Sequence, residues 1–119
     1  MNENMALFAA TMLHSATNTH FFHFSTDSFS KHMALGAYYD EIVGLVDDLV
    51  EAYMGCYERI EKFPNVYHLP KEPIKYMESL KGFVDDARKD LPQETQLQNI
   101  IDEIAQLVDS TLYKLKNLK

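Results

Sequence analysis

The sequence predicts an all-α protein, four amphipathic helices packed into one bundle, and three observations carry that prediction. Apolar residues recur at three- and four-residue intervals over long stretches of the chain. Punctuation is scarce: the 119 residues hold four Gly and four Pro, and three of the prolines fall within Pro64–Pro73. The length suits one hydrophobic core, so residues 1–119 read as a single domain.

The first helix is expected from about Asn2 to Phe24. Ala6, Ala9, Leu13, Ala16, His20 and Phe24 share one of its faces, and Met5, Phe8, Met12 and Phe22 share another. A helix apolar on two faces packs its own bundle and something further. The run STDSFS, Ser25–Ser30, offers three good N-caps in Thr26, Asp27 and Ser28. The second helix is expected from about Ser28 to Glu61, on a stripe of Leu35, Tyr39, Ile42, Val46, Leu49, Tyr53, Cys56 and Ile60. Lys62–Pro73, KFPNVYHLPKEP, is the one long break, and its prolines favour extended backbone. The third helix should span about Glu72–Asp90 with Ile74, Met77, Leu80, Val84 and Ala87 inward. Pro92 suits the first turn of a fourth helix, which continues almost to Lys119 on Leu97, Ile100, Ile104, Leu107, Thr111, Leu115 and Leu118.

The break bears on topology. About eleven extended residues reach roughly 36 Å, enough to run the length of a twenty-residue helix, about 30 Å. A simple up-and-down bundle needs only a few residues there. A long crossover between the second and third helices is therefore the favoured wiring.

Charge and composition exclude several classes. The net charge is −7, and before Arg59 there is one basic residue, Lys31, against eight acids. A nucleic-acid partner is not expected of so acidic a chain. One cysteine, Cys56, excludes an intrachain disulfide and a multi-cysteine zinc site; on the apolar stripe it should be buried. Met5–Phe24 has no Asp, Glu, Lys or Arg, but His14, Ser15, Thr17, Asn18, Thr19, His20 and His23 make it too polar to face lipid. No positive segment precedes it, as a signal peptide needs. A cytoplasmic protein with no membrane partner is expected.

The chemistry-bearing residues cluster around the first turn. Antiparallel pairing of the first two helices brings His20 and His32 to one end of the bundle. On the second helix Gly36, Asp40, Gly44, Asp47 and Glu51 fall on one face with His32. A mid-helix glycine costs about 1 kcal/mol relative to alanine, so the Gly36/Gly44 pair suggests close approach of another helix. Asp47 and Glu51, four residues apart, reach toward one point. Two imidazoles and two carboxylates suit iron or manganese, with zinc a further option. His32 and Asp47 are, however, fifteen residues apart on one helix, about 22 Å, against metal–ligand bonds of about 2 Å. One chain cannot close both sets on one ion. A two-fold partner with its second helix antiparallel can, giving two equivalent sites per homodimer.

The run HFFHFSTDSFSKHMALGAYYDEIVGLVDDLVE, His20–Glu51, resembles the ferroxidase segment of the Dps-like mini-ferritins. In that family a His on the first helix is followed after twelve residues by a His, after fifteen by an Asp and after four by a Glu. His20, His32, Asp47 and Glu51 stand at those spacings. The resemblance implies a ferritin-like four-helix bundle that binds iron and oxidises Fe(II). It makes His20 and His32 of one chain, with Asp47 and Glu51 of another, the ligands. Beside them, His23 reads first as a structural histidine with a supporting place behind the ligands as its alternative, and Asp40 as a solvated residue that faces the right way to assist a second ion. It covers about residues 20 to 52. The chain departs from the family in having Phe21 where a Trp is usual, and in its short tail and connection, which weaken the case for the family's twelve-subunit cage. The Lys-rich tail often linked to DNA protection is absent as well. A short, phage-type member is implied, which would work in the host cytoplasm. Read without the resemblance, the same residues also describe a helical dimerisation module whose histidines cap or pack and whose carboxylates are solvated.

Overall fold

The computed structural model describes residues 2–119. Among them are four α-helices, α1 (Glu3–Ser25), α2 (Phe29–Cys56), α3 (Pro73–Ala87) and α4 (Thr95–Asn117), with a 3-10 turn at Arg88–Asp90 and no strand. None of these helices is long and apolar enough to cross a membrane.

The α1–α2 corner is closed by its own hydroxyls. Thr26 Oγ1 accepts from the Ser28 amide at 3.2 Å, and Ser28 Oγ, at the N-cap of α2, accepts from the Lys31 amide at 3.3 Å. Helix α2 then runs unbroken for 28 residues, about 42 Å at 1.5 Å per residue. This nearly equals the 44 Å long dimension of the molecule.

The expected extension of α2 to Glu61 does not occur. The backbone leaves the helix at Tyr57, whose ring stacks on Tyr53 at 5.2 Å and whose hydroxyl donates to Glu94 at the start of α4. Cys56 is consequently exposed rather than buried, because the core stripe ends one turn before it at Tyr53.

Contacts along the connecting segment fix the helix directions. Glu58, Arg59 and Phe63 line a hollow with Asn2, Glu3 and Leu7 at the start of α1. Tyr67 meets His14 edge-on at 5.0 Å, and the His68 carbonyl accepts from Asn18 Nδ2 at 3.2 Å. The segment thus follows α1 for several turns. Helix α3 begins near the end of α1, with Phe22 and Tyr76 at 6.1 Å, and returns to its beginning, with Phe8 and Phe83 at 5.8 Å. Helix α4 starts against the end of α2 (Gln96 to Cys56) and finishes against its start, where Ser30 Oγ donates to the Leu118 carbonyl at 3.2 Å. Helices α1 and α4 therefore run one way, and α2 and α3 the other. Helix α1 packs on α2 and α3, and α4 packs on the same two.

Met5, Phe8 and Met12 of α1, Leu35, Tyr38, Ile42 and Leu49 of α2, Met77 of α3 and Leu97, Ile101 and Ile104 of α4 are the fully enclosed centre of the core. Helix α1 supplies it from the Met5–Phe22 face; of the other expected face, Ala6 and Ala9 are buried as well, whereas Leu13 and Phe24 are exposed. The inward stripe also turns by one residue in two places. Tyr38 takes the core position expected of Tyr39, and on α4 Ile101 and Val108 are more deeply buried than Ile100 and Leu107. Adjacent residues differ by about 100° on a helix, and α4 faces both α2 and α3, so its buried face is wider than one strict stripe. Tyr38 keeps a polar partner inside: Ser15 Oγ lies 2.7 Å from its hydroxyl, and burial drives that hydroxyl far above its ordinary titration range.

Pro92 lies outside α4, which starts three residues later. The α3–α4 corner is held by glutamines: Gln93 donates to the Leu91 carbonyl at 2.7 Å and Gln98 to the Pro92 carbonyl at 3.0 Å. At the other end of α3, the Glu72 carboxylate accepts from the Ile74 and Lys75 amides, each at 2.9 Å. Burial pushes the Glu72 carboxyl upward, but these two amides together with the charges of Lys75 and Lys31 outweigh it and hold it below its ordinary value. A carboxyl lowered in the folded state stabilises above its unfolded pKa, and that contribution is lost as pH falls through the folded value. Glu72→Ala should cost about 1 kcal/mol at neutral pH. The gap to the parent should close in urea melts below about pH 4.

Candidate metal centre

Three histidines converge at the α1–α2 corner. His20 and His23 lie in the last turns of α1 and His32 in the first turn of α2, all half-buried. His23 Nδ1 donates to the His32 carbonyl at 2.7 Å, and His32 Nδ1 donates to the His23 carbonyl at 3.0 Å. The two rings stack with centroids 3.6 Å apart and planes 21° from parallel. A carbonyl can only accept, so both rings carry hydrogen on Nδ1, and Nε2 is the nitrogen that holds the lone pair in the neutral form. The His23 carbonyl is one of the last four of α1, which lack a partner within the helix; the His32 ring meets that need. His20 stacks on Tyr39 at 4.1 Å and 15°, with Phe24 at 4.7 Å and His23 at 6.1 Å.

Gly36 belongs to this corner. A Cβ at position 36 would lie 3.2 Å from His23 Cε1 and 3.3 Å from His23 Nδ1. The close approach of another helix expected at this glycine is therefore made by α1 of the same chain, through the His23 side chain. Gly44 has no such neighbour: a Cβ there would meet nothing within 4 Å.

Asp47 and Glu51 stand one turn apart on α2, both exposed, with Asp40 exposed two turns nearer the corner. Because α2 is continuous, Asp47 is about 22 Å from His32 along the helix. The fold thus gathers His20, His23 and His32 at one end, holds Asp47 and Glu51 further along, and does not join the two sets within one chain. Among the described residues no group of three or more His, Cys, Asp or Glu is gathered so as to hold a metal ion. The histidine corner is bordered by exposed apolar side chains: Phe24 is 69% exposed, Phe29 77% and Met33 56%.

His23 is the residue that sequence reasoning undervalued. The signal is Gly36, one turn beyond His32 on the same face, but spacing alone does not say which side chain of the neighbouring helix fills the clearance.

Comparison with known proteins places these residues in a wider group. Residues 23–115 match a family described as "Family of unknown function (DUF5856)", a span that includes His23, His32, Asp47 and Glu51 and begins after His20. The chain is similar to the "Uncharacterized 14.6 kDa protein in mobD-ri intergenic region" of Enterobacteria phage T4. The two are 28% identical over 98 residues, covering 81% of this chain and 75% of the phage protein. No solved structure matches. With most of its length inside the matched span, the chain belongs to the DUF5856 family, whose function is unknown.

Proposed function

We propose that this chain is a ferritin-like, Dps-like protein that binds Fe(II) between two-fold-related subunits and oxidises it. The observation that carries this reading is the split donor set on one unbroken helix. His32 stands at one end of α2 with its Nε2 lone pair left free by the Nδ1 bond, and the exposed Asp47/Glu51 pair stands about 22 Å along. Two copies with α2 antiparallel complete each set from the other: His20 and His32 of one chain, Asp47 and Glu51 of its partner. The opposed course of α2 and α3 to α1 and α4, with the connecting segment running beside α1, supports this reading of the wiring.

The donors fit the substrate. Imidazole nitrogen suits Fe(II), and carboxylates stabilise Fe(III) as charge builds. With peroxide as oxidant, two Fe(II) each give up one electron, and the peroxide takes both with two protons to leave two waters. The net charge of −7 favours cation approach. Manganese and zinc are competing occupants of the same donors. The similarity to a phage protein supports action in a host cytoplasm.

An anaerobic Fe(II) titration followed by dioxygen or peroxide tests the reading. Saturable binding at one site per chain and oxidation faster than in buffer are expected; absence of saturable binding rejects it. A second reading draws on the exposed Phe24, Phe29 and Met33: a helical interaction module that keeps the bundle and the dimer without a working metal site. A dimer by light scattering that binds no metal would favour that module, and a monomer would count against both.

A further inference from the structure

We propose that His23 is a positioning residue for His32, and that Gly36 is the clearance that admits it. The inference rests on His32 being a metal ligand, and its starting point is the closed loop of contacts at the corner. The His32 ring donates to the His23 carbonyl, the His23 ring donates to the His32 carbonyl, and the two rings lie face to face at 3.6 Å. To rotate, His32 must give up its own hydrogen bond and the stacked face. To shift with its backbone, it must break the bond from His23. The same contacts decide which nitrogen is available: with Nδ1–H engaged, Nε2 presents the lone pair. A partner that grips a ligating histidine from behind in this way sets its tautomer and ring orientation before the metal arrives.

Gly36 shows how closely the clasp is fitted. A methyl group at position 36 would press on the same two His23 atoms, Cε1 and Nδ1, that lie beside and at the hydrogen-bonding position. The helix accepts a glycine's cost there, and the imidazole occupies the space it leaves. Conversely, His23→Ala opens a gap beside Gly36 into which the His32 ring can turn.

The test uses the full chain and two readouts. In the metal-free protein, imidazole ¹⁵N shifts should show His32 with hydrogen on Nδ1 and a bare Nε2. His23→Ala should turn this into a mixture of tautomers. His23→Asn, whose amide nitrogen stands near the lost Nδ1 and can donate to the His32 carbonyl, should restore the parent spectrum and controls for loss of fold. With Zn²⁺ as a redox-silent probe, His23→Ala should weaken binding about 10- to 100-fold, and His23→Asn should recover most of it. Unchanged Zn²⁺ affinity in His23→Ala, or an unchanged His32 tautomer, overturns the proposal. So does complete loss equal to that of His32→Ala, which would make His23 a ligand. If the parent chain binds neither Zn²⁺ nor Fe(II), the metal reading and the positioning role fall together, and the ¹⁵N spectra then show whether the clasp itself exists.

Discussion

Replacing Asp47 and Glu51 together by alanine is expected to abolish saturable Fe(II) binding while leaving stability within about 0.5 kcal/mol of the parent. The separation of the two effects follows from where the residues sit. Both are exposed on α2, and neither has a hydrogen-bond or ion-pair partner among the described residues. Their removal costs the fold no contact and lessens repulsion among Asp40, Asp47, Asp48 and Glu51. In the proposed site they would supply half of the four ligands and both of its negative charges. Binding followed by calorimetry, with urea melts on the same samples, checks both halves. His32→Ala should behave differently: it removes a proposed ligand and also leaves the His23 carbonyl without its donor, so binding and the corner should both weaken.

The largest effect on stability is expected from Phe8→Ala, about 3–5 kcal/mol. Phe8 is fully enclosed and stacks on Phe83 at 5.8 Å, joining α1 to α3. Helix α3 is the shortest of the four, with only Met77, Leu80 and Val84 fully buried, so a cavity opposite Phe83 falls where the core is thinnest. Against a total of about 5–15 kcal/mol for a domain of this kind, such a loss is about a fifth or more. Urea denaturation should show a lower midpoint at unchanged slope. Phe8 lies twelve residues before His20, about 18 Å along α1, so the His32 tautomer should survive in the folded fraction.

Much of this was legible in the chain. The four helices follow from apolar spacing, and the α1–α2 corner from STDSFS, because both signals are local. Boundaries that depend on tertiary contact were not legible. Nothing local to Gly55–Tyr57 announces that α2 stops; it stops where Tyr57 turns to Glu94, a partner 37 residues further along the chain. Cys56 was misplaced for the same reason, and Pro92 because glutamine side chains, rather than the proline, close the next corner. At the candidate site, spacing alone separated the histidines from the carboxylates. It could not reveal that two imidazoles clasp across the corner, because that depends on the α1–α2 crossing and on the space left by Gly36.

The central claim is that one site is built from two chains, and complementation tests it most directly. A chain carrying His20→Ala and His32→Ala keeps its carboxylates; a chain carrying Asp47→Ala and Glu51→Ala keeps its histidines. Each alone should bind no Fe(II). Co-expressed with different tags and purified as the heterodimer, the pair should regain one of the two sites of the parent dimer, with parent-like affinity. A heterodimer that binds no better than either variant alone would contradict the shared site.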